Sequence, residues 1–322
     1  MAKTVSLDER FSIEIKPTAP FNFDATVHKP SYFPTRDNYY QRGVYWQTML
    51  FKRNVLGLKL MNRGNIDNPL IELVCFSEEP FKKKEDLVKE IRWRFDLDSD
   101  ISEFCQKFEH DNLLGPVLKK WRGMRVNCTY SLYEILVITI VLQNAPVRRS
   151  IQMMEALFSK YGTKACYNGK ELYAFWEPER LHKATEEELR ALKVGYRAKN
   201  LKKISESFVN NEVDEYKLRT LDKEEAKKQL MKLYGVGPAS VGILLFESLH
   251  HYDAFDKVSP WEQKIYSRLL LGKELVPPQA ILDEVNRRWG KWKMLAAHYI
   301  FEDLFWKRET QHIDWLEKLI RR

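Results

Sequence analysis

The sequence predicts an α+β protein in which an N-terminal antiparallel sheet is followed by a mainly helical body. Short apolar–polar alternations dominate up to about residue 76, and after Pro80 apolar residues recur at spacings of three and four almost to the end. The 322 residues hold no internal repeat and no low-complexity linker, and they suffice for two or three packed units.

In chain order, FSIEIKP, FDATVHK, GVYWQTMLFKR and VLGLKLMNRG read as strands, and PLIELVCF is an apolar run between turn residues. Asn62-Arg63-Gly64-Asn65 followed by Asp67-Asn68-Pro69 marks a turn between two of them. EDLVKEIRWRF, ISEFCQKF and SLYEILVITIVLQ then carry helical spacing. Helix starts are expected at Asp100, Thr129, Thr185 and Ser259-Pro260, each a residue that caps or opens a helix. The remainder is expected to be helical, with boundaries at 1–94 for the sheet, 95–310 for the helical body and 311–322 for a helical tail.

Hydrophobic residues make up 44% of the chain and charged residues 30%, an ordinary globular composition. No apolar run reaches the ~18–20 residues of a membrane span, and MAKTVSLDER lacks a signal pattern, so a soluble, intracellular protein is expected. Cys75, Cys105, Cys128 and Cys166 form no CxxC pair, which points to reduced thiols and to neither a zinc site nor an iron–sulfur loop. The net charge of +8 suits a polyanionic partner, but the basic residues are interspersed with acids and carry little weight alone.

The most informative segment is LYGVGPASVG (Leu233–Gly242), between the helices EEAKKQLMK and VGILLFESL, with the whole hairpin unit spanning 225–250. It reads as helix, tight glycine turn, helix. Gly235 and Gly237 leave room for a phosphate to approach, and backbone N–H groups through Val236, Ala239 and Ser240 can face it at the start of the next helix. A helix C-cap glycine explains the same fragment equally well.

The surroundings extend the motif into a likeness. The chain resembles the helix-hairpin-helix (HhH-GPD) DNA glycosylases, in the branch of 3-methyladenine DNA glycosylase II and 8-oxoguanine DNA glycosylase. The matching stretches occur in the expected order: Phe95–Val126, Ser131–Gly162, Ala191–Ser205, LYGVGPASVGILL, YDAFDKVSPWEQKIYSRLL and Arg287–Trp306. Together they span roughly residues 20–310.

The resemblance implies a two-lobed helical body that binds duplex DNA by its backbone, flips a damaged base into a pocket between the lobes, and hydrolyses its N-glycosidic bond. It implies no metal, no organic cofactor and a monomer. Pocket walls are expected among Tyr39, Tyr40, Trp46, Trp261 and Trp306, each of which also fits a core role. Gln143 and Asn144 fall where the branch carries a polar pair near the flipped base and the gap it leaves.

Two positions depart from the family pattern. Members that also cut the backbone carry a Schiff-base lysine where this chain has Ala239, which argues against a lyase step. The family's catalytic aspartate aligns with Ser259, and Ser259-Pro260-Trp261-Glu262 reads as a capping box. Serine lacks the charge that stabilises a developing oxocarbenium ion, so the neighbouring acids Asp256, placed first, and Glu262 are the candidates to supply it. Asp253 reads as a loop-bonding residue. A non-catalytic damage-binding relative and an RNA-directed relative remain the alternatives. A serine hydrolase is disfavoured by the absence of a GxSxG elbow or a recognisable triad.

Overall fold

The structure, a computed structural model, describes residues 3–32, 34–126 and 128–320. Strands β1 (Lys3–Ser6) and β2 (Asp8–Ile15), helix α1 (Phe23–Val27), and strands β3 (Asn38–Gln41), β4 (Val44–Phe51), β5 (Asn54–Asn62) and β6 (Ile71–Ser77) build the N-terminal part. Strands β2 to β6 form an antiparallel sheet in the order β2-β6-β5-β4-β3. Alternation along β5 and β6 sends Leu56, Leu58, Leu60, Leu73 and Cys75 into a core shared with helix α2 (Lys84–Arg94) through Leu87 and Ile91. Their neighbours Val74 and Phe76 enter a second core on the opposite face, which explains why Leu73–Phe76 is apolar without a gap.

The helical body begins with α3 (Ser102–Lys107), α4 (Leu114–Trp121), α5 (Leu132–Leu142) and α6 (Val147–Tyr161). It is then interrupted by a hairpin, β7 (Thr163–Tyr167) and β8 (Lys170–Ala174). Strand β7 pairs in parallel with β1 and antiparallel with β8, giving a three-stranded sheet. That sheet supplies the second core with Ala165, Tyr167 and Leu172 against Val5, Leu7 and Trp46. Helices α7 (Pro178–Lys183), α8 (Glu186–Ala191), α9 (Arg197–Val209), α10 (Glu215–Leu218), α11 (Lys223–Leu230), α12 (Pro238–Glu247), α13 (Pro260–Leu271), α14 (Pro278–Trp289), α15 (Lys293–Thr310) and α16 (Asp314–Ile320) complete the chain. Helix α16 lies within the expected tail, whose last two residues are outside the described residues. Among the described residues no helix is long and apolar enough to cross a membrane.

Three expectations are corrected. FDATVHK is helical over Phe23–Val27, because the Asn22 side chain accepts from Ala25 N–H at 3.1 Å and four of the five helix residues are buried, leaving no strand-like alternation. The helix expected to begin at Thr129 is capped instead by Ser131, whose box with Glu134 closes at 2.6 and 3.3 Å. The hairpin β7–β8 breaks the stretch expected to be wholly helical. Its turn, Asn168-Gly169, has φ of +45° and +71°, the geometry that joins two twisted strands with two residues.

The sheet part and the helical body are joined by a buried charge network. Glu90 of α2 accepts two hydrogen bonds from Arg219, the residue that follows α10, at 2.8 and 2.7 Å, and one from Arg94 at 2.7 Å. Arg94 also lies 3.5 Å from Glu134 at the start of α5.

Candidate DNA interface and active site

Helix α11 is N-capped by Asp222, whose side chain accepts from Glu225 N–H at 2.9 Å, and after Leu230 the chain turns through Met231–Gly237. Gly235 supplies the turn with φ of +85°, a region closed to most side chains. Gly237 differs: its φ is −111° and ψ 176°, and a Cβ built on it meets no atom within 4 Å. The fold itself therefore sets no demand for glycine at this position. Pro238 opens α12, and its first turn bonds Ser240 and Val241 N–H to Gly237 C=O at 3.0 Å. The N–H groups of Gly237 and Ala239 have no intrachain acceptor among the described residues and stand at the positive end of α12. Val236 is spent within the turn, donating to Leu233 C=O at 3.1 Å.

The turn after α5 is fastened to this hairpin. Gln143 Nε2 donates to Gly235 C=O at 2.8 Å, and the Gln143 carbonyl accepts from the Arg197 guanidinium and from Tyr196 Oη. Gln143 thus positions the two loops, whereas Asn144, with φ of +48°, is exposed and its side chain donates to Tyr196 Oη at 3.3 Å. Leu142, Val147, Tyr196, Tyr234 and Ile243 are exposed around the two loops. Exposed apolar groups beside unpaired N–H donors suit a surface that meets a nucleic-acid backbone and its bases.

Ser259 is the N-cap of α13. Its Oγ accepts from Glu262 N–H at 3.3 Å, and Glu262 Oε2 accepts from Ser259 N–H at 2.8 Å. The capping box thereby folds the Glu262 carboxylate back to the helix N-terminus, next to Ser259. Asp256 is held elsewhere. Lys293 Nζ lies 3.1 Å from its Oδ1, and Lys223 and Lys227 lie 3.3 and 4.0 Å from its Oδ2. Burial opposes its charge, but the Lys293 hydrogen bond and the Lys223 charge outweigh it and keep the carboxyl below the usual range. Moving Asp256 to the N-terminus of α13 would break these contacts. Asp253 pairs with Lys223 at 2.9 Å.

The aromatic candidates fall in three places. Trp261 lies against Phe301 and Phe305, with ring centroids 5.6 and 6.0 Å away, and is partly open beside the start of α13. Trp46 is buried between the two sheets, with Tyr39 and Lys170 over it. Tyr40 stacks on His28 at 4.3 Å and donates to Asp24 at 3.0 Å. Trp306 packs edge-on against Trp121. Only Trp261 adjoins the α13 N-terminus.

A polar cluster that the sequence reading did not identify lies where α12, α15 and the segment after α1 meet. Glu302 is fully buried and accepts from Ser31 N–H at 3.1 Å and Ser31 Oγ at 2.6 Å. Lys29, also buried, donates to Thr26 C=O at 3.3 Å. Burial brings the Lys29 ammonium down to about 8 and pushes the Glu247 carboxyl, at the end of α12, up to about 7. Burial also holds His298 well below its ordinary value. Among the described residues, no three His, Cys, Asp or Glu side chains gather as a metal site.

This arrangement, an N-terminal sheet beside helices that present a glycine hairpin, defines a DNA-repair fold, and comparison with known proteins gives the family. The family described as "HhH-GPD superfamily base excision DNA repair protein" matches residues 137–320, more than half of the chain. The chain belongs to this superfamily. It is 26% identical over 227 residues to a DNA-3-methyladenine glycosylase of Bacillus subtilis (strain 168), covering 69% of this chain and 74% of that one. Among solved structures, a 3-methyladenine DNA glycosylase from Archaeoglobus fulgidus superposes with a TM-score of 0.75 at 16% identity, covering 94% of this chain and all of that one. A Clostridium acetobutylicum 8-oxoguanine glycosylase/lyase bound to double-stranded DNA superposes with a TM-score of 0.70 at 23% identity, covering 94% and 98%. At these identities the structural likeness speaks for the fold.

Proposed function

We propose that this protein is a monofunctional DNA N-glycosylase that flips a damaged base from duplex DNA and hydrolyses its N-glycosidic bond, acting as a monomer without metal or organic cofactor. The reading rests on family membership, on the DNA-3-methyladenine glycosylase relative, and on the open N–H groups at Gly237 and Ala239. One observation carries the chemistry: the capping box returns the Glu262 carboxylate to the N-terminus of α13. There it offers the negative charge that a developing oxocarbenium ion requires and Ser259 lacks. Ser259 is then a positioning residue, and Asp256 ties its loop to α11 and α15. Trp261 forms a pocket wall, Gln143 fixes the hairpin and Asn144 enters the gap left by the flipped base. Ala239 leaves no lysine at the hairpin for a Schiff base.

The test is single-turnover release of base from duplexes carrying alkylated, deaminated or oxidised purines, with alkali added to cleave abasic sites. Strand breaks are expected only after alkali. Binding to every lesion duplex with release of no base would end the glycosylase reading.

A further inference from the structure

Helix α12 buries Val241, Leu244 and Leu245 and carries Ile243 and Glu247, one helical turn apart, on another face, Ile243 exposed and Glu247 at the junction with α15 and the segment after α1. The Glu247 side chain is half-buried, and its carboxylate has no hydrogen bond or ion pair among the described residues. Its neighbours are already engaged. Both oxygens of Glu302 are taken by Ser31, Lys29 Nζ binds Thr26 C=O, and His298 Nδ1 is 3.9 Å from Glu302. The groups within electrostatic reach of Glu247 are Lys29 and Tyr32 from the segment after α1, Cys128 from the segment before α5, and Glu302 from α15. Glu302 ties this cluster to the start of α13: it lies on α15 between Phe301 and Phe305, the rings that pack against Trp261, and it reaches Tyr266 of α13 together with Glu262. A partly desolvated carboxyl without partners costs stability and does nothing for the fold.

We propose that Glu247 is the general acid that protonates the departing base, a role that rests on the glycosylase reading above. As the C1′–N bond breaks, its electron pair stays on the base and the Glu247 carboxyl proton moves to a ring nitrogen. Water adds its oxygen to C1′ and one of its protons restores the carboxyl, so the sum is hydrolysis with no redox change. A carboxyl held up at about 7 is half protonated at neutral pH, as such a role requires. Lys29, whose charge favours ionised Glu247, and Glu302, whose charge opposes it, set that balance from opposite sides.

A general acid at Glu247 widens the range of lesions that can be released. A base made cationic by alkylation leaves as a neutral molecule and needs no acid, whereas an uncharged lesion such as 8-oxoguanine or hypoxanthine leaves poorly without a proton. Wild type and Glu247→Gln are compared in single-turnover excision of 7-methylguanine, hypoxanthine and 8-oxoguanine from pH 5.5 to 9, with thermal unfolding as the folding control. The variant should lose roughly a hundredfold or more on an uncharged lesion and only a few-fold on 7-methylguanine. The wild-type rate on the uncharged lesion should fall about tenfold per pH unit above about pH 7, and the variant's should be flat. If the variant fails to fold, the wild-type profile decides: the same fall on both lesion types overturns the proposal. Equal rates for the two proteins on uncharged lesions overturn it while the glycosylase reading stands. A wild type that releases no base overturns both.

Discussion

Replacing Gly237 by aspartate should stabilise the protein and weaken its grip on DNA. The backbone at this residue suits any side chain, and a Cβ has open space on every side, so no packing is lost. Aspartate is a good N-cap, is favoured at the positive end of α12, and restricts the unfolded chain more than glycine does. Together these contribute about 1 kcal/mol, which in a chain of this size raises Tm by roughly 1–3 °C. If a phosphate lies against the Gly237 and Ala239 N–H groups, the new carboxylate stands about 4 Å from it. The repulsion is then about 1 kcal/mol in a water-like medium and about 4 kcal/mol at the effective dielectric of a protein surface. Affinity should fall at least about fivefold, and the loss should shrink as salt rises. Fluorescence anisotropy with a duplex carrying an abasic-site analogue, at low and moderate salt, measures it alongside thermal unfolding. An unchanged affinity at both salts would remove the phosphate from the hairpin. A lowered Tm would show that the open space at Gly237 had been misread.

Three further outcomes follow from the geometry. Glu262→Gln keeps an oxygen that can accept from Ser259 N–H, so Tm should hold while single-turnover excision drops at least about a hundredfold; an unaffected rate removes Glu262 from the chemistry. Asp256→Asn should leave excision within a few-fold but lower stability at neutral pH, an effect that fades in acid because the wild-type carboxyl titrates below its usual range; a hundredfold loss of rate would restore it as the catalytic acid. Burial opposes the Glu90 charge, but Arg219 and Arg94 overcome this and hold the carboxyl at about 2 against an ordinary 4.5, which corresponds to roughly 3 kcal/mol. That stability is present above the unfolded-state value and is lost as pH falls from about 4.5 toward about 2. The Tm gap between wild type and Glu90→Gln should therefore close in acid, and a gap that stays constant from pH 7 to pH 3 would refute the assignment.

Periodicity made most of the sheet and the helical body legible, because β4, β5 and β6 alternate or are buried on both faces and α5 and α6 carry capped or amphipathic patterns. The glycine hairpin was legible from LYGVGPASVG, and the capping box at Ser259 from its spacing. TKACYNGKELYA contained a usable signal, alternation around an Asn-Gly turn, that the surrounding helical pattern overshadowed. The 23–27 helix has too few residues for periodicity to separate it from a strand. Glu247 ends an apolar helix and reads locally as an ordinary C-terminal residue. Its setting depends on Lys29 and Glu302, and the Ser31–Glu302 contact spans 271 positions, a relation that local spacing cannot show. The contact of Asp256 with Lys293 spans 37 positions and is equally invisible to local spacing.

The parallel pairing of β1 with β7 sets an order on biosynthesis. Lys3 finds its partner Thr163 only after about 160 further residues have been translated, which at 5–20 residues per second takes roughly 8–30 s. Throughout that interval the nascent N-terminus carries a strand without a neighbour and a sheet with one apolar face uncovered. Val74, Phe76 and Trp46 gain their cover from Ala165, Tyr167 and Leu172 only when the β7–β8 hairpin has been made. Pausing or truncation before the β7–β8 hairpin emerges would leave a segment open to pairing with other chains.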